Sequence, residues 1–144
     1  MNYGHFNTFK DFYKSIGKFY CPYFKEYIAF NSEGLVHLKF KSRRKARLDK
    51  DRNTRLKIFP TTIKIIGQSH TIQGITKKNR FEKRVVNSRV EAALLPVTYY
   101  EFLAIIEGVR AKVILKQIEN GEKSFLSVIP VYKQKIPPDH GGMF

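Results

Sequence analysis

The sequence predicts an α+β domain: N-terminal helices packed on a three- to four-stranded antiparallel sheet that ends in a β-meander. Three observations predict it. Aromatic residues near the start recur at helical spacing. The second half of the chain alternates apolar and polar residues between two turn signals. The chain also has only 144 residues, 42% of them hydrophobic, which suits one core and one domain. We read residues 1–20 as a short helix or flexible arm, 21–132 as the folded core and 133–144 as a loosely held tail carrying Pro137, Pro138, Gly141 and Gly142.

Phe6, Phe9 and Tyr13 fall at i, i+3 and i+7, with Phe12 and Ile16 four apart beside them, which predicts a short amphipathic helix ended by Gly17. Tyr27 to Phe30 is a short extended run. Asn31 and Ser32 then resemble a cap ahead of a helix through Leu35, Leu38 and Phe40. Ile58, Phe59, Pro60, Ile63, Ile65 and Ile66 return to the core, residues 67–80 read as a loop, and a strand is expected around Phe81–Asn87. Val97–Ile106, Val109–Ile118 and Ser124–Val131 form the meander, with turns at Glu107-Gly108 and Asn120-Gly121.

A two-residue Asn120-Gly121 turn would set residue i opposite 241 − i. Lys116 would then face Phe125, Leu115 would face Leu126, Ile114 would face Ser127 and Lys112 would face Ile129. Alternation then puts Ala111, Val113, Leu115, Leu126 and Val128 on the core face. The other face receives Arg110, Lys112, Ile114, Lys116, Phe125 and Ser127, joined by Tyr99, Glu101 and Leu103 if Glu107-Gly108 is tight. That face is open, basic and aromatic.

Charge narrows the function. Lys and Arg total 27 against 12 Asp and Glu, a formal net charge of +15. Such an excess repels itself and is expected to meet a polyanion, nucleic acid first and anionic lipid second, which gives a partner class and no chemistry. Nine of the seventeen residues from Lys41 to Lys57 are basic and two are acidic, so almost half the net charge lies there. Arg43, Arg44 and Arg47 from this run, with Tyr99, Lys116 and Phe125 of the sheet, are the expected nucleic-acid contacts: cations for phosphates and rings for stacking on bases. No run approaches the roughly 18 apolar residues of a membrane span, and no apolar signal region is visible, so a cytoplasmic protein with no membrane partner is expected. A single cysteine, Cys21, rules out a disulfide framework. His5, His37, His70 and His140 have no metal-ligand spacing, so neither a metal nor another cofactor is expected.

His37 is the candidate for chemistry. On a helix, Leu35 and Leu38 would face the core while His37 and Lys41 share another face. Nearby cations favour the neutral imidazole, which can act as a base near neutral pH. Metal-independent RNA cleavage needs such a base, cations for the charged phosphorane and an acid for the leaving oxygen.

The Gly34-Leu35-Val36-His37 segment, the basic stretch after it and the meander ending in Phe125-Leu126-Ser127-Val128-Ile129-Pro130 resemble the barnase/EndoU/colicin/RelE-like superfamily of metal-independent ribonucleases, especially its phage and toxin–antitoxin members. The likeness spans roughly residues 23–131. It implies a toxin-like endoribonuclease with RNA on the open sheet face. His37 would be the helical base and Ser127 the late-strand hydroxyl. Arg110 and Lys112 would be strand cations, with Lys41 or Arg43 the cation after the histidine. The long basic run leaves the choice among Lys41, Arg43 and Arg44 open. An acidic antitoxin or immunity protein covering the Arg110–Lys112–Ser127 face is the implied second partner. The alternative is a non-catalytic RNA- or DNA-binding module, or a translation inhibitor that blocks the ribosome without cutting.

Overall fold

The computed structural model describes residues 8–42, 45–46 and 49–131, with side chains from 39 to 48 excepted. Arg43, Arg44 and Arg47, the side chain of Lys41, Phe6 and the tail from 132 onward therefore lie outside the described residues.

Thr8 caps helix α1 (Phe9–Ile16) by accepting the Asp11 amide at 3.1 Å. Gly17 ends it at φ +60°, a value that glycine adopts without strain. Strands β1 (Lys18–Cys21) and β2 (Glu26–Ala29) form an antiparallel hairpin. Helix α2 (Ser32–Lys39) follows, and the Asn31 side chain accepts the Gly34 amide at 3.4 Å as the capping reading anticipates. The helix stops one residue short of Phe40. Phe40–Ser42 forms β3, which pairs with β4 (Lys45–Ala46) in a two-stranded sheet. His37 and Lys41 are consequently not partners on one helical face, a correction to the sequence reading.

Half of the basic run belongs to a helix that the sequence reading does not contain. Helix α3 spans Asp49–Gln68 and carries Pro60 inside it. Asp49 and Asp51 sit in its first turn, where the partial positive charge of the helix end favours them. They also pair with Arg52 and Arg55, both at 2.9 Å. Ile58, Phe59, Thr62, Ile65 and Ile66 are its buried stripe.

The remaining strands are β5 (Gly74–Val86), β6 (Arg89–Ile106), β7 (Val109–Ile118) and β8 (Lys123–Pro130). The main sheet has six strands in the order β1-β2-β8-β7-β6-β5. It is larger than the expected three or four, and it is mixed, because β2 runs parallel to β8. The expected loop at 67–80 thus becomes strand from Gly74. The β5–β6 turn uses Asn87 and Ser88 at φ +49° and +64°, and the β6–β7 turn uses Glu107 and Gly108 at +52° and +78°. Positive φ at both central residues matches the right-handed strand twist.

The β7–β8 connection departs from the two-residue reading. The Gly121 amide bonds the Ile118 carbonyl at 2.9 Å, so the turn centres on Glu119 and Asn120, with Glu119 at φ +52°. Near the turn, Leu115 faces Phe125 and Lys116 faces Ser124; a bulge then restores Ile114 opposite Ser127 and Lys112 opposite Ile129. The bulge swaps two side chains. Phe125 becomes fully buried in the core, and Leu126 turns to the opposite face.

The helices cover one face of the sheet. An aromatic cluster of Phe9, Tyr13, Phe30, Phe59 and Phe125 fills the centre, with Phe30 stacked on Phe125 at 5.3 Å and Phe59 edge-on to it at 5.4 Å. Gly34 lets α2 lie directly on β8: a Cβ there would stand 2.6 Å from the Phe125 ring, the Phe125 carbonyl and the Tyr13 hydroxyl. Among the described residues no helix is long and apolar enough to cross a membrane.

Candidate functional site: a groove beneath a curled hairpin

The second face of the sheet is partly roofed. Lys116 lies opposite Tyr99 on β6, and Tyr99 lies opposite Thr76 on β5. Glu82 is six positions beyond Thr76, which in a straight strand would be about 20 Å away. Yet the Glu82 carboxylate contacts the Lys116 ammonium. The outer part of the β5–β6 hairpin must therefore curl back over the sheet. Its concave side buries Leu95 and Val97, which do not belong to the main core.

Between this hairpin, α2 and the face of β7 and β8 runs a groove of about 410 Å³. Gly34 sets α2 tightly on β8, and Glu33 and His37, one turn apart on α2, both line the groove. Lys78, Arg80 and Glu82 enter from β5, Tyr99 and Glu101 from β6, and Ile114 and Lys116 from β7.

Lys116 is the electrostatic hub. Its side chain is 7% exposed, donates to Glu33 at 2.8 Å and meets Glu82 from the other side. Burial by itself would lower its pKa, but the hydrogen bonds to Glu33 and Glu82 outweigh burial and hold it above the ordinary lysine range. Burial raises the Tyr99 hydroxyl too, against the opposing pull of Arg80 and Lys116. The groove balances three cations (Lys78, Arg80, Lys116) against three carboxylates (Glu33, Glu82, Glu101). Lys78 and Arg80 make no ion pair among the described residues, so they are the cations available to an anion.

Of the residues singled out from sequence, the structure brings His37, Tyr99 and Lys116 into one site. Lys116 is a correction, because its charge is already taken up by two carboxylates. Phe125 is another, since a fully buried ring cannot stack on a base. Ser127 is 6% exposed, and its hydroxyl accepts from Arg55 of α3 at 3.0 Å; the same guanidinium nitrogen also bonds the Val128 carbonyl at 3.0 Å. Ser127 thus ties α3 to β8 and does not line the groove. Lys112 lies 3.7 Å from Glu101 and outside the groove lining. Arg110 is exposed beside a different, mostly apolar pocket lined by Ile58, Ile105 and Pro130.

Glu33, Lys78, Arg80 and Glu82 were missed. One sequence signal existed, Asn87-Ser88 as a positive-φ turn, which would have extended the hairpin through them. No group of three His, Cys, Asp or Glu that could hold a metal occurs among the described residues.

No protein-family model, curated protein or solved structure matches this chain.

Proposed function

We propose that the chain is a metal-independent endoribonuclease whose active site is the groove beneath the β5–β6 hairpin. One observation carries the reading: His37 shares a single groove with Arg80, Lys78 and Tyr99 in a protein of net charge +15. His37 takes the proton of an RNA 2′-hydroxyl. The oxygen attacks the adjacent phosphorus, and Arg80 and Lys78 offset the charge that builds on the phosphorane. Tyr99, kept protonated by burial, donates to the departing 5′ oxygen. The products are a 2′,3′-cyclic phosphate and a free 5′-hydroxyl. Lys116 positions Glu33 and Glu82 and so holds the hairpin over the site.

The test is cleavage of labelled RNA in the presence of a chelator. His37→Ala should lower the rate by about 10²–10⁴-fold, the usual contribution of a general base, while RNA affinity stays close to wild type. Ser127→Ala should cut RNA at nearly the wild-type rate, because that hydroxyl is engaged by Arg55. Full activity in His37→Ala, or loss of activity on chelation, would overturn the assignment. Tight binding with no product from the wild-type protein would leave the groove as a binding site alone.

A further inference from the structure

The hairpin that roofs the groove has a second, outward face. Residues i of β5 pair with 175 − i of β6, so Phe81 stands beside Leu94, Lys83 beside Ala92 and Val85 beside Val90. Period-2 alternation puts all six on one side, opposite to Glu82, Leu95 and Val97. That side is the convex one. Phe81 is 73% exposed, Val85 72%, Val90 67% and Leu94 57%. Scattered exposed apolar residues are ordinary, but two cross-strand apolar pairs on one short ribbon form a continuous patch. The ribbon is also only two strands wide here, since β7 pairs with β6 no further than Val97. A two-stranded ribbon in water is at best marginally stable. The curl seats its concave face on the sheet and leaves the convex face bare.

Charge says what suits that face. On the convex side the alternation places two cations, Lys77 and Lys83, and no acid, while Arg84, Arg89 and Glu91 fall on the concave side. A second copy would bring the same basic ribbon and the same +15 body, and like charges oppose that pairing. RNA would satisfy the cations and could stack on Phe81, but the rest of the patch, Val85, Val90 and Leu94, offers it neither a stacking face nor a hydrogen bond. A polypeptide with apolar side chains on one side and carboxylates beside them satisfies both features.

We propose that the convex face of the β5–β6 hairpin is a docking surface for an acidic, apolar segment of a partner protein, with Phe81, Val85, Val90 and Leu94 as its apolar floor and Lys77 and Lys83 as its charged rim. The surface meets the groove at Phe81, which also lines it, whereas Val85, Val90 and Leu94 lie outside the groove lining. It is distinct from the Arg110–Lys112–Ser127 face on which charge alone places an acidic partner.

The experiment titrates three labelled probes onto the full chain and reads fluorescence anisotropy: a peptide alternating Glu and Val, its counterpart alternating Lys and Val, and a single-stranded RNA of similar length. The acidic peptide should bind and the basic one should not. Val85→Ser combined with Val90→Ser should weaken the acidic peptide about tenfold or more, as expected for loss of apolar anchors. Lys77→Glu combined with Lys83→Glu, which changes only exposed positions, should do the same and should create binding to the basic peptide. Acidic-peptide binding unmoved by both variants would overturn the proposal. RNA affinity that falls with Val85→Ser/Val90→Ser while the peptide is unaffected would reassign the face to nucleic acid. A wild-type dimer in sedimentation that the same variant dissolves would reassign it to a second copy.

Discussion

Gly34→Ala isolates the contact that delivers α2 to the groove. Two effects oppose each other. Alanine is the better helix former, worth about 1 kcal/mol in a helix interior. Its Cβ, however, would stand 2.6 Å from the Phe125 ring, the Phe125 carbonyl and the Tyr13 hydroxyl at once. The ring is fully buried, the carbonyl belongs to β8, and the Tyr13 hydroxyl is held by its 2.6 Å bond to the Asn31 carbonyl. None of the three is a free side-chain end. Overpacking of this kind costs roughly 1–3 kcal/mol, and three simultaneous overlaps place it near the top of that range. The expected net loss is about 2 kcal/mol. Urea unfolding followed by circular dichroism measures it, with Val36→Ala, at a half-exposed position on the same helix, expected within about 0.5 kcal/mol of wild type. RNA cleavage should fall in the same variant even where it is fully folded, because relieving the clash moves α2 off β8 and carries His37 with it. A Gly34→Ala protein as stable as wild type would refute the argument that glycine is required for this close approach.

Lys116→Met strands Glu82, whose side chain is 16% exposed, and should destabilise by about 1–3 kcal/mol; Glu82→Gln in the same protein should add less than it does alone, read by a double-mutant cycle of unfolding free energies. The pKa of Lys116 is raised on folding, so its stabilisation is complete below the ordinary lysine value and is lost only as pH climbs through the higher folded value. The stability gap between wild type and Lys116→Met should therefore stay flat through neutral pH and narrow only above about pH 10.4. Arg55→Ala removes the bonds to Asp51, Ser127 and the Val128 carbonyl and should cost roughly 2–3 kcal/mol in thermal or urea unfolding, against about 1 kcal/mol for Ser127→Ala; equal losses would mean that the hydroxyl, not the guanidinium, organises this contact.

Local chemistry wrote much of the fold into the sequence. The α1 stripe, the Asn31 cap, the Glu107-Gly108 turn and the alternation of β6 and β7 each depend on neighbours a few residues away, and each was legible. Helix α3 was hidden because its first half is a charge run and Pro60 interrupts the second; its stripe from Ile58 to Ile66 makes sense only against the sheet that buries it. The candidate site divides in the same way. His37 stood out as a histidine on a short helix, and Tyr99 and Lys116 followed from strand alternation. A one-residue bulge then reversed Phe125 and Leu126, because a strand's faces depend on register over its whole length.

The curl of the β5–β6 hairpin had no local signature. It joins Glu82 to Lys116 and Glu33 across sequence separations of 34 and 83 residues (116 − 82 and 116 − 33), and only the folded sheet brings them together. Composition by itself determined that the protein is strongly basic, and periodicity determined an α+β chain with a histidine on its second helix. Tertiary structure decided which cations are spent on internal carboxylates and which remain open to an anion. Ion pairing depends on distance and burial in space, and neither quantity is a property of the order of residues.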